Sequence, residues 1–347
     1  MWPGPDVLSG MTSVNGGGLL SRWMREDTMG DSGVPQRFLD LARQVRGPRA
    51  LSEAGLRERF GDPAQAELEP GQVWRARWDE VSMLVLVLDV DAREVNAVPV
   101  TIDPPGEDET SVVVDGSRTA FGVDATVWAG LVSCVPMRVL ERVVDVWDDD
   151  IVGCTAAQAQ GRPALAAAGV RGGQPIRSAL EPDAEVRAGL TDDLEYLRHA
   201  PGLPVEESGR PAGTLASLLG ARPDLRTLCS ALEMPQPEVM KLLRGKIPLP
   251  PDRIDAIASA TGLPAAQIAR TVRPLPADLV YAAEHPRWRS VWVRRARQLE
   301  VSEAQARLSG GYGAFALAAR QTGGGVADWD ARLRQFLGGE GSVKGGA

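Results

Sequence analysis

The sequence predicts an α+β chain of several domains: a small antiparallel β-barrel of the SH3-like kind, followed by an all-α half. Three observations predict it. Between residues 71 and 133, five short Val-, Leu- and Trp-rich segments are separated by turns, the pattern of strands with brief connections. Beyond Pro211 the apolar residues recur at helical spacing to about Leu337, interrupted by Pro and Gly. The length, 347 residues, exceeds what one hydrophobic core usually organises.

In chain order, residues 1–33 carry Met1, Met11, Met24 and Met29 around Gly16, Gly17 and Gly18 with little apolar periodicity. They are expected to be a disordered leader with an over-called translation start. A domain of residues 34–152 follows. It opens with two short helices, one at 35–45 with Phe38, Leu41 and Ala42 on one face, and one capped by Ser52 and stopped by Gly61-Asp62-Pro63. Strands are expected at 71–78, 82–90, 94–101, 110–114 and 126–133, with a turn at Asp103-Pro104-Pro105-Gly106. The second strand does not alternate through Met83-Leu84-Val85-Leu86-Val87-Leu88, which predicts a central strand covered on both faces. A short helix over 136–142 is expected to close the domain. Residues 153–173, rich in Ala, Gly and Gln, read as linker within a 153–212 connecting region. A helix at 183–200 carries Val186, Leu190, Leu194 and Leu197 on one stripe. Helical domains at 213–272 and 273–338 and a disordered tail at 339–347 complete the division.

Composition narrows the function classes. The longest apolar run, residues 83–88, is far too short to span a bilayer, and no secretory series opens the chain, so a cytoplasmic protein without membrane contact is expected. Cys134, Cys154 and Cys229 are odd in number and widely spaced, outlining neither a disulfide framework nor a CxxC site. His199 and His285 stand without histidine or cysteine neighbours at ligand spacing, so no metal, no cofactor and no His-based triad are expected. The net charge of -8 argues against a wholly polyanion-binding surface. Between Arg222 and Arg297, however, 13 Lys/Arg face 7 Asp/Glu, a basic segment on an acidic body.

That segment holds the most informative pattern. Leu225, Leu228, Cys229 and Leu232 share one helical face, Glu233-Met234-Pro235 makes a tight turn, and Gln236 opens a second helix with Val239, Leu242 and Leu243 inward and Gly245 at its end. Two short helices joined so tightly cross steeply and push the second outward, where its first turn can enter a major groove. A third helix with Ile254, Ile257 and Ala258 ends at Gly262, and a fourth carries Ile268. Leu228-Cys229-Ser230-Ala231-Leu232-Glu233-Met234 and Val239-Met240-Lys241-Leu242-Leu243-Arg244-Gly245-Lys246, continued by Pro248, Pro250 and Gly262-Leu263-Pro264, resemble the lambda-repressor-like (XRE-type) helix-turn-helix family over about 213–272. The resemblance implies that Gln236, Glu238 and Lys241 face base edges while Arg244 and Lys246 lie near phosphates. Gln pairs bidentately with adenine, Lys donates to guanine and a carboxylate accepts from cytosine, so such a face discriminates bases. Pro237 removes a donor and Glu238 adds negative charge where phosphates crowd, which leaves a protein-docking role for these helices open.

Downstream, Arg287, Arg289, Arg294, Arg295 and Arg297 interleave with Trp288 and Trp292. Two readings are open: a clamp on phosphates, or an amphipathic helix with core tryptophans and solvated or acid-paired arginines.

The strand region has its own likeness. Pro70-Gly71-Gln72-Val73-Trp74, the run from Met83 to Leu88, Val98-Pro99-Val100-Thr101 and Trp128-Ala129-Gly130-Leu131-Val132 look like the MazF/PemK (CcdB-like) toxin barrel over about 70–147. The resemblance implies metal-independent cleavage of single-stranded RNA by an arginine before the second strand and a Thr or Ser after the third. Thr101 fills the second place, whereas Ser82-Met83 stands at the first, and Asp79 and Glu80 would repel the substrate. Arg75 and Arg77 would replace the missing arginine only if they share a groove with Thr101; otherwise Thr101 is an ordinary strand-ending residue. Gly323-Gly324-Gly325 lacks the lysine and setting of a phosphate loop, and Asp148-Asp149-Asp150 reads as a solvated edge.

Together these readings lead to the expectation of a transcriptional regulator, repressor or antitoxin-like, that binds double-stranded DNA as a homodimer and keeps a degenerate toxin-type barrel for binding or dimerisation. The alternatives are a MazF-like endoribonuclease with a helical targeting domain and a protein-interaction scaffold.

Overall fold

The computed structural model describes residues 49–102, 106–162, 167–206, 213–220, 224–318 and 328–339. The leader at 1–33, the helix at 35–45, most of the turn at 103–106, Gly323-Gly324-Gly325 and the tail beyond 339 lie outside the described residues. No helix among those described is long and apolar enough to cross a membrane.

The N-terminal half is an antiparallel sheet. Its strands are β1 (Gln72–Trp78), β2 (Val81–Val90), β3 (Glu94–Thr101), β4 (Val112–Val114), β5 (Ala125–Val127), β6 (Ser133–Pro136), β7 (Leu140–Val146) and β8 (Val170–Gly172). They lie in the order β7-β1-β2-β3-β5-β4-β8, with β6 also pairing β3. As the unbroken apolar run of β2 predicts, both of its faces are covered. Met83, Val85 and Val87 join one hydrophobic cluster, and Leu84 and Leu86 lie toward the other. The first cluster is closed by Leu190, Leu194 and Leu197, and the second includes Leu56 and Ile151. These come from helices α1 (Glu53–Phe60), α2 (Asp149–Ala159) and α3 (Pro182–Arg198). Ser52 caps α1 by accepting from the Gly55 amide at 3.0 Å.

Three segments differ from expectation. Residues 136–142 form no closing helix: after a 3-10 turn at Met137–Val139, β7 runs antiparallel to β1. Pairing decides here, because Val143 packs into one cluster and the adjacent Val144 into the other, an alternation only a strand supplies. The strand expected over 126–133 is divided by a 3-10 turn at Ala129–Leu131, after which β6 pairs with a different stretch of β3. The segment read as linker contains most of α2 and all of β8, which pairs with β4. Its core face is only Ile151, Cys154 and Thr155, a stripe too sparse to stand out among Ala and Gln. Asp148-Asp149-Asp150 begins α2, where Arg118 reaches Asp148 and Asp150 at 2.8 Å each.

The C-terminal half is helical: α4 (Leu215–Leu219), α5 (Leu225–Ala231), α6 (Gln236–Leu243), α7 (Pro251–Thr261), α8 (Ala265–Ala269), α9 (Ala277–Glu284), α10 (Arg289–Leu299), α11 (Glu303–Ala318) and α12 (Trp329–Gly339). It has two cores. Helices α4 to α8 enclose Leu215, Leu228, Val239, Leu242, Leu243, Ile257 and Ile268. Helices α9 to α12 enclose Leu279, Val280, Trp292, Tyr312 and Leu333. Gly310 and Gly313 let α11 approach its neighbours, since a Cβ there would collide with the Trp292 and Phe336 rings.

Ion pairs, and hydrogen bonds from the arginines that make them, join α9, α10 and α11 to the sheet side. Glu284 is fully enclosed and receives Arg93 at 3.1 Å, Arg138 at 3.2 Å and the Leu203 amide at 2.6 Å. Glu303 receives Arg289 at 3.2 Å and Arg307 at 2.6 Å, and both arginines lie over the Trp78 ring at the end of β1. Arg289 also donates to the Val139 carbonyl and Arg307 to the Arg138 carbonyl.

Removing one charge from such a set leaves its partners buried and uncompensated. Glu284→Gln is expected to destabilise the fold by about 3 kcal/mol, read from urea unfolding. Beside it, His285 is buried and accepts from the Arg287 amide at 3.2 Å. Burial, reinforced by the Arg287 charge, lowers its imidazole pKa to about 4. The unfolded chain takes up that proton near pH 6.5, so the unfolded state binds more protons between the two values. Stability is therefore full above about 6.5 and declines as pH falls toward 4. His285→Gln is expected to flatten that decline in thermal melts at a series of pH values.

Candidate nucleic-acid interface

The α5–α6 pair is built from local chemistry. Asp224 caps α5, accepting from the Arg226 and Thr227 amides at 3.1 and 3.2 Å and from the Thr227 hydroxyl at 2.6 Å. The same bonds hold its carboxyl below the usual range. At the other end Glu233 adopts φ +51°, and the Met234 amide reaches back to the Cys229 carbonyl at 3.1 Å, a left-handed stop that usually takes glycine. Pro235 then precedes α6, its carbonyl accepting from the Glu238 and Val239 amides. Pro237 fits the first turn of α6, where a missing amide proton leaves no partner unsatisfied. Gly245, at φ +62°, ends the helix, and the Lys246 amide returns to the Lys241 carbonyl.

This local folding divides α6 into two faces. Val239, Leu242 and Leu243 are buried in the core of α4 to α8, whereas Gln236, Lys241, Arg244 and Lys246 are exposed and Glu238 is partly so. The residues that the resemblance assigns to base edges and to phosphates are thus each at least partly accessible. Its charge is uneven. Lys241 Nζ sits 2.6 Å from Glu238 Oε1, so the front of the face is close to neutral. The cations gather toward its end, at Arg244 and Lys246. Arg273 joins them across a cleft of about 790 Å³ between α6 and α11, with Tyr312 and Phe315 on the far wall. Sequence reading missed Arg273, because residues distant in sequence complete its surroundings.

The arginines of α10 and the turn before it do not act as one set. Arg289 is 3% exposed and committed to Glu303, which withdraws it from any phosphate. Arg287 donates from Nε to His285 Nδ1 at 3.0 Å and lies 3.6 Å from Asp330. Arg295 packs over the Phe336 ring at 5.4 Å. Only Arg294 and Arg297 stay exposed, lining with Arg57, Arg75 and Arg142 a second cleft of about 640 Å³ that also contains Glu53, Asp62 and Glu141.

The chain matches no protein-family model and no curated protein.

The residues of the second resemblance are not assembled. In the β1–β2–β3 register Arg75 lies opposite Leu84, which lies opposite Val100. Paired residues share a face and neighbours along a strand alternate, so Thr101 occupies the opposite face from Arg75 and Arg77. Arg75 is bound to Glu141 at 2.7 Å. The Thr101 hydroxyl accepts from the indole of the fully buried Trp128 at 3.0 Å. Among the described residues no three His, Cys, Asp or Glu side chains gather to hold a metal ion. Thr101→Val is expected to cost about 1 kcal/mol in chemical denaturation, because it orphans a buried indole N–H.

Proposed function

We propose that this chain is a DNA-binding transcriptional regulator, repressor or antitoxin-like, in which α5 and α6 act as a helix-turn-helix. The observation that carries the reading is the accessibility of α6. Its apolar side is anchored in a core of its own, and Gln236, Lys241, Arg244 and Lys246 are exposed on its outer side and end. In this reading Gln236 and Lys241 meet base edges in the major groove, and Arg244 and Lys246 neutralise flanking phosphates. Glu238 restrains Lys241 and favours a cytosine edge over a phosphate. One such helix covers a short half-site, so the working form is a homodimer on a two-fold operator. The sheet half serves as a toxin-like barrel without ribonuclease chemistry, retained for binding or dimerisation. The separation of Thr101 from Arg75 and Arg77 across the sheet weighs against the endoribonuclease alternative.

Binding to genomic duplex fragments, followed by fluorescence anisotropy between about 50 and 200 mM salt, tests the reading. Arg244→Ala is expected to weaken binding about tenfold and to lower the salt slope by about one. Glu238→Gln is expected to strengthen binding, since it frees the Lys241 charge. Salt-independent or undetectable binding would leave the interaction-scaffold reading instead.

A further inference from the structure

The cleft between the end of α6 and α11 has a chemistry that a groove-reading helix does not require. It is lined by Lys241, Arg244, Lys246 and Arg273, and among its described lining residues there is no carboxylate. Lys241 is satisfied by Glu238 at 2.6 Å, which leaves three further cations among the residues that line one opening. Like charges so gathered repel one another, and an anion in the opening relieves that repulsion. The opposite wall is apolar and aromatic. The Arg273 guanidinium lies 5.0 Å over the Phe315 ring, and on the α6 side Met240 also lines the cleft. Arg273 is held in place from behind, because the Tyr312 hydroxyl of α11 donates to its backbone carbonyl and its side chain lies against Gly245.

We propose that this cleft binds a nucleotide, a phosphate ester carrying a planar base. Arg244, Lys246 and the N–H edge of Arg273 take the phosphate, and the base lies against the Arg273–Phe315 stack, where any base offers a flat face. The volume, about 790 Å³, is in the range of small-molecule sites. A free nucleotide and the end of a nucleic-acid strand carry the same chemistry. Because Arg244 and Lys246 would serve both ligands, an occupied cleft competes with duplex binding at α6. The assignment itself rests on the cleft and not on the DNA reading.

Isothermal titration of the full-length protein with AMP, unphosphorylated adenosine and a short 5′-phosphorylated single strand tests it. AMP is expected to bind saturably and at least about tenfold more tightly than adenosine. Arg273→Gln, a surface change, is expected to weaken AMP binding about tenfold, and Phe315→Leu about fivefold. Tighter binding of the strand than of AMP, with the same loss in Arg273→Gln, assigns the site to a strand end; the reverse order assigns it to a free nucleotide. Absence of saturable binding of both AMP and the strand, or AMP binding that Arg273→Gln leaves unchanged, would overturn the proposal. Duplex affinity of Phe315→Leu, measured alongside, separates the two readings: loss of AMP binding with duplex binding intact belongs to the cleft alone.

Discussion

A fully buried carboxylate, Glu284, and a partly buried one, Glu303, are the constraint on which the packing of the helices against the sheet depends. Glu284 is enclosed at the seam between helices and sheet and is tolerable there because two guanidiniums reach it; Glu303, 14% exposed, is likewise reached by two. The partners come from both sides. Arg93 and Arg138 belong to the sheet half, while Arg289 and Arg307 belong to α10 and α11 and also donate to sheet-side carbonyls. A purely apolar seam tolerates sliding, whereas charges with fixed partners and directed donors accept one register. The Trp78 ring, packed under Arg289 and Arg307, closes the same seam from β1.

With α9, α10 and α11 so fixed, the outer side of α11 meets the end of α6, and the proposed functional surfaces follow from that meeting. Helices α4 to α8 keep a separate core, which lets α6 present its polar side while remaining tied to the rest through Arg273 and Tyr312. The surface is graded: the Glu238–Lys241 pair makes its front nearly neutral, and three cations make its end positive. In the proposed reading, base discrimination would draw on directed hydrogen bonds from α6 and phosphate contact on the charges just beyond its end.

Much of this was legible along the chain. The first three strands, α1, α3 and the helices from Thr214 to Ala269 announce themselves by period and by stops such as Gly61, Gly245 and Gly262, because those signals are local. Three kinds of feature were not. The helix that the sequence suggests over 136–142 overlaps only the start of β7, whose partner β1 lies some sixty residues away and supplies the pairing that outweighs local preference. Helix α2 and strand β8 were hidden by composition, since three inward residues suffice to seat α2. The arginines of α10 looked alike in sequence, yet the structure sends Arg289 inward, Arg295 over a ring and Arg294 outward, a distinction set by what each turn of the helix faces. Arg273 escaped notice because its neighbours Tyr312 and Phe315 arrive from another helix.

The most direct test of the regulatory account is the recovery of genomic DNA by the native protein compared with a Gln236→Ala variant, followed by sequencing. The account predicts an enriched two-fold-symmetric sequence with half-sites about one helical turn apart, lost or relaxed at one base in the variant. Recovery without any enriched sequence, or an enriched sequence that the variant retains unaltered, would contradict it.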